Sequence, residues 1–115
     1  MSSANEIVKN HSFTRCLFID NGQGLELGYS SPNHLVLADS CGFYRNGIGI
    51  RYGDCYTYPH HGYITVRNSE SLDNEEYDVW NMLREHWEGD PPHMAFSNVW
   101  VSKPNSMYPE LKIHE

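Results

Sequence analysis

Turn-forming runs interrupt this chain at short intervals, and that spacing limits it to short elements. Asn21-Gly22-Gln23-Gly24, Ser30-Ser31-Pro32-Asn33, Asp39-Ser40-Cys41-Gly42, Asn46-Gly47, Pro59-His60-His61-Gly62 and Gly89-Asp90-Pro91-Pro92 all concentrate residues that supply positive φ, fix φ or bond their own backbone. The stretches between them favour strands. Phe13–Asp20 has β-type composition, Leu25–Tyr29 alternates apolar and polar positions, and His34–Asp39 is a third apolar run. Asn46-Gly47, between β-favouring flanks, reads as a hairpin turn that places Ile48, Ile50 and Tyr52 on one face. Gly49, between two isoleucines, implies a bulge or a close approach by another group. The segments CYTY and YITVRN flank Pro59–Gly62 as a second hairpin, Met94–Ser102 alternates as a last strand, and a proline-interrupted tail packs along the surface. No internal repeat, linker or low-complexity tract is apparent.

One segment reads differently. Asp73 is placed to cap a helix, Glu76 three residues on completes a capping box, and the run to Trp87 stops at Gly89–Pro92. At helical spacing Tyr77, Trp80, Leu83 and Trp87 form one stripe, with Glu75, Asp78, Glu85 and Glu88 on other faces. Met82 is the misfit, projecting among acidic neighbours. The expected fold is therefore α+β: a single antiparallel β-sheet of about five to seven strands with one amphipathic helix packed on one face, all in one globular domain over residues 1–115.

Charge is distributed unevenly. Fifteen acids and eight Lys or Arg give a net −7, and residues 69–90 alone hold eight acids against Arg84. That segment carries the whole excess, a distribution that repels phosphate backbones and attracts basic partners. No apolar run is long enough to span a bilayer, and no secretory leader pattern opens the chain. Cys16, Cys41 and Cys55 form an odd set without C-x-x-C spacing, which points to reduced thiols and a cytoplasmic setting.

Cys55 to Tyr63, CYTYPHHGY, is the densest collection of reactive side chains. His60 and His61 are adjacent, so an extended backbone sends them to opposite sides, and their spacing to Cys41, Cys55 and His34 matches no recurring zinc pattern. No metal or other cofactor is expected. His60 or His61 with Asp54 or Asp39, and Cys55 as nucleophile, would serve a small hydrolase, yet no established catalytic motif accompanies them. Five of the eight tyrosines fall between Tyr44 and Tyr63, and Tyr56 and Tyr58 share one strand face, an arrangement suited to protein contact.

Recognition is thus favoured over catalysis. The expected function is a small acidic inhibitor of a basic, nucleic-acid-acting protein, by analogy with toxin-immunity proteins and phage anti-defence inhibitors such as anti-CRISPR proteins. Glu75, Asp78, Met82, Glu85 and Glu88 form the expected contact face, extended by Glu70, Asp73 and Asp90, with Tyr56 and Tyr58 as aromatic contacts. The alternative is a cytoplasmic hydrolase with a His–Asp pair near the tyrosine-rich hairpin. Neither reading requires direct binding of nucleic acid or membrane.

Overall fold

A computed structural model describes residues 9–27, 34–52, 62–81, 93–105 and 107–114. They contain the strands β1 (Lys9–Thr14), β2 (Leu17–Ile19), β3 (Gln23–Leu27), β4 (His34–Asp39), β5 (Gly42–Tyr44), β6 (Ile48–Tyr52), β7 (Tyr63–Leu72), β8 (Tyr77–Asn81), β9 (Met94–Val101) and β10 (Lys112–Ile113). Every pairing among them is parallel, and the register is periodic. Asn10 lies beside Leu35, Leu35 beside Tyr63, and Ile64 beside Met94. Leu17 lies beside Gly42 and Gly42 beside Glu70, while Leu25 lies beside Ile50 and Ile50 beside Val79.

Three ladders result: β1–β4–β7–β9 along the first halves of the long strands, β2–β5–β7–β9 along their second halves, and β3–β6–β8. A chain that returns parallel to itself every 25 to 30 residues on three faces is a β-solenoid, each coil burying its apolar side against the next. This corrects the antiparallel sheet and helix expected above. It also corrects the absence of a repeat: Phe18-Ile19-Asp20-Asn21-Gly22-Gln23-Gly24-Leu25 and Phe43-Tyr44-Arg45-Asn46-Gly47-Ile48-Gly49-Ile50 occupy the same positions in successive coils.

Two corners turn the chain between ladders, each using one residue in the left-handed region per coil. Arg15, Ser40, Asn68 and Asn98 have φ of 55°, 60°, 52° and 56°, and Asp20, Arg45 and Asp73 have 61°, 54° and 58°. Such positions cost a non-glycine residue some strain, least for Asn and Asp. Arg15 therefore interrupts the strand expected over Phe13–Asp20. Asn46-Gly47 does not close a hairpin, because Arg45 makes the turn and Asn46 points inward to bond the neighbouring coils. Asp73 caps no helix either; its N–H donates to Ser102 Oγ at 3.0 Å while Asn74 enters the core.

The helical reading fails for a local reason. In β8, Asp78 and Val79 are both buried, whereas Tyr77 is exposed and Trp80 half-buried. Two consecutive inward residues put the outward aromatics three apart and so imitate a helical stripe. Residues 82–90 of the expected helix lie outside the described residues.

The core is built from stacked rows. Val36, Ile64 and Met94 form one, Ala38, Val66 and Phe96 another, and Phe18 stacks on Phe43 with centroids 4.9 Å apart. Gly49 meets the expectation of a close approach: a Cβ there would lie 2.1 Å from Ser71 Oγ. The tail closes the far end. Tyr108 and Leu111 are buried, Phe96 and Tyr108 meet edge to face at 5.2 Å, and β10 pairs with β9. Among the described residues, no helix is long and apolar enough to cross a membrane.

Candidate partner-binding surface

The second corner gathers four exposed acids. Asp20, Asp73, Glu75 and Glu76 are all exposed there, and Asp20 accepts from Arg45 Nε at 3.2 Å. A surface groove of about 460 Å³ runs along this corner, lined by Asp20, Arg45, Asp73 and Glu75 with Asn21 and Asn46. The ion pair is solvated on both sides and holds the arrangement only weakly. Among the described residues, Lys103 is the other cation near this corner. Its Nζ donates to the carbonyls of Asn74, Glu75 and Glu76 at 3.3, 3.3 and 3.4 Å, which leaves the carboxylates outside its hydrogen bonds.

Beyond Glu76 the chain enters β8, whose outer side carries aromatics. Tyr77 is 45% exposed and stacks on Trp80 with centroids 5.0 Å apart. The Arg51 guanidinium sits 5.5 Å from the Trp80 ring and pairs with Glu26 at 3.5 Å. An aromatic pair thus borders the acidic corner directly, held by a cation on its own sheet. Sequence reading missed Tyr77 and Trp80 as outward residues because their spacing was taken as helical; the strand alternation of Val79 inside and Trp80 outside was the available signal.

Of the residues expected to touch a partner, Glu75 lies on this corner. Asp78 does not. Its side chain is buried and fully employed: Oδ1 accepts from Asn74 Nδ2 at 2.9 Å, and Oδ2 accepts from Ser102 N, Ser102 Oγ and Lys103 N at 3.0, 2.8 and 3.0 Å. A carboxylate so enclosed ties the last coil to the tail rather than facing a partner. Glu70 lies on a different face, where its Oε1 accepts from the Tyr44 hydroxyl at 2.7 Å. That bond to a carboxylate holds Tyr44 protonated and pushes its pKa up to about 12. Asp73 is exposed on the corner, while Met82, Glu85, Glu88, Asp90, Tyr56 and Tyr58 lie outside the described residues.

Asp39, one of the two acids named in the hydrolase alternative, is already engaged. Asp39 accepts from Arg67 Nε at 2.8 Å, from Ser40 Oγ at 3.0 Å and from Asn68 Nδ2 at 3.3 Å, bonds that hold its carboxyl below the usual aspartate range. Cys41 is buried with its Sγ 3.4 Å from the Phe13 carbonyl. Asp54, Cys55, His60 and His61 lie outside the described residues. Among the described residues, no three His, Cys, Asp or Glu side chains come together as a metal ion would require. No protein-family model, curated protein or solved structure matches this chain.

Proposed function

We propose that this solenoid is a recognition module, acting as an inhibitor of a basic, nucleic-acid-acting protein. The observation that carries the reading is the exposed Tyr77, stacked on half-buried Trp80, beside the carboxylates of Asp73, Glu75 and Glu76. An aromatic anchor flanked by exposed carboxylates is an arrangement from which binding energy and fast capture arise together, here with Arg45 and Lys103 as the neighbouring cations. The contact face thereby moves from the expected helix to a solenoid corner, with Tyr77 and Trp80 in the role first given to Tyr56 and Tyr58. A rigid parallel scaffold suits this role, since little order must be gained on binding. The cytoplasmic setting belongs to the same proposal and is supported by Cys16 and Cys41, which stand as free thiols.

The test is capture from the native host's lysate by the immobilised chain, followed by kinetics on the purified partner. Replacing Asp73, Glu75 and Glu76 together with lysine should slow association by about tenfold or more at low salt and abolish its salt dependence. Tyr77→Ala should instead quicken dissociation. Association unchanged by the triple charge reversal would remove this corner from the interface.

A further inference from the structure

We infer that the N-terminal end of the solenoid is an interface that pairs two copies of this chain end to end, strand β2 against strand β2 in antiparallel fashion. The two ends of the molecule are finished differently. At the far end, Asp78 is bound by Ser102 and Lys103, Asn105 Nδ2 donates to the Val79 carbonyl at 3.0 Å, and Tyr108 covers the core. At the near end, Phe13, Cys16 and Phe18 belong to the core rows but are only partly buried. Asn21 holds the ladder position of Asn46 and Asn74, yet its side chain is exposed. Coil one thus carries the fittings of an interior coil on a face that no other described coil covers.

The edge of β2 specifies what fits there. Cys16 O accepts from Gly42 N at 3.0 Å and Asp20 N donates to Tyr44 O at 3.2 Å, so residues 16, 18 and 20 direct their backbone groups toward β5. By strand alternation the N–H and C=O of Leu17 and Ile19 point the other way, off the end of the solenoid. An antiparallel copy centred on Phe18 sets Leu17 of one chain against Ile19 of the other, twice, each pair exchanging both backbone bonds. Side chains then match as well. Leu17, the most exposed large apolar residue described at 66%, meets Ile19 on the outer face, and Phe18 meets its mate at the centre. Carried past the corners, this register brings Arg15 against Asn21 and beside Asp20 of the mate, opposite charges on exposed side chains.

Symmetry closes the assembly at two. The interface uses the same patch on both chains, and among the described residues the tail occupies the other end, which leaves head-to-tail growth no matching surface there. An open row of strand groups otherwise invites uncontrolled pairing, and a self-complementary dimer removes that edge.

Sedimentation equilibrium of the full chain over a wide concentration range tests this. A reversible monomer–dimer equilibrium is expected. Leu17→Glu should weaken it by about a hundredfold, since two symmetric apolar contacts are lost, while Leu35→Glu, at an exposed position of β4, should leave it unchanged. Amide hydrogen exchange of the unaltered chain supplies a measure free of mutation: Leu17 and Ile19 N–H should be protected in the dimer and exchange freely on dilution. A chain that stays monomeric at every concentration, forms open polymers, or dimerises with Leu17 and Ile19 amides unprotected would overturn the inference.

Discussion

Replacing Asn46 with aspartate changes one heavy atom and no volume, and it isolates what the buried amide row contributes. Asn46 is 1% exposed. Its Nδ2 donates to the Phe18 carbonyl at 3.0 Å in the preceding coil and to Asn74 Oδ1 at 3.1 Å in the next, while its Oδ1 accepts from Asn21 N at 3.0 Å. In Asn46→Asp the two donated bonds disappear, and a buried anionic oxygen with no donor of its own faces the Phe18 carbonyl and Asn74 Oδ1. Two lost bonds at about 1 kcal/mol each, plus about 1–3 kcal/mol for the buried oxygen left without a donor, give roughly 3–5 kcal/mol. For a domain of this size that corresponds to a fall in Tm of roughly 12–20 °C.

The same change at the outer rung is the control. Asn21 has an exposed side chain, so Asn21→Asp should fall within about 0.5 kcal/mol of the parent. Urea denaturation followed by circular dichroism measures both. The pH dependence of the Asn46→Asp penalty adds a signature that a packing defect would lack. The buried position favours the neutral acid, which can donate, so the folded pKa lies above the unfolded one. The pH-dependent part of the penalty is then absent below the unfolded pKa and grows as pH rises through and beyond it, on top of the one donated bond that the neutral acid still lacks. Equal costs at positions 21 and 46, or a pH-independent loss at 46, would refute the assignment of coil-to-coil cohesion to this row.

Three other outcomes follow from geometry already described. Gly49→Ala should cost more than about 2 kcal/mol, because its Cβ would fall 2.1 Å from Ser71 Oγ and 2.7 Å from the Asp78 carbonyl oxygen, whereas Gly22→Ala, with nothing within 4 Å, should be nearly neutral in the same unfolding assay. Asp39 should titrate below ordinary aspartates by carboxyl NMR, and Arg67→Ala should raise its midpoint; because the folded pKa is depressed, its contribution to stability is present above the unfolded pKa and is lost as pH falls through the folded one. Tyr44 should ionise near pH 12 by ultraviolet titration, and Glu70→Gln should return it toward about 10; its raised folded pKa means that its contribution is complete below the unfolded value and is lost between the two.

What the sequence displays and what it conceals both come from how a solenoid uses its corners. Strand positions were legible: His34–Asp39 is β4, and Met94–Val101 lies within the run expected as the last strand. Gly49 was legible as either a bulge or a close approach, and the structure shows the second. Pairing was not legible, since Asn-Gly has one meaning in a hairpin and another at a solenoid corner. In a hairpin both residues take positive φ and the chain reverses onto itself. Here Arg45 takes it, the chain enters a different ladder, and the amide is free to bond coils above and below. Only the 25-residue recurrence of Phe-x-x-Asn-Gly-x-Gly-Leu/Ile distinguishes the two, and it shows once Phe18 is aligned with Phe43. In the third coil that signal fades: Ser71 stands where the phenylalanine would be, and Glu75 follows Asn74 in place of glycine. Asn74 persists because its Oδ1 accepts from Asn46 N at 2.9 Å and its Nδ2 donates to the Phe43 carbonyl at 3.3 Å. Glu75, in the place of that glycine, also sets a carboxylate on the corner. The same departure that hid the repeat thus supplies the acidic surface on which the proposed recognition rests.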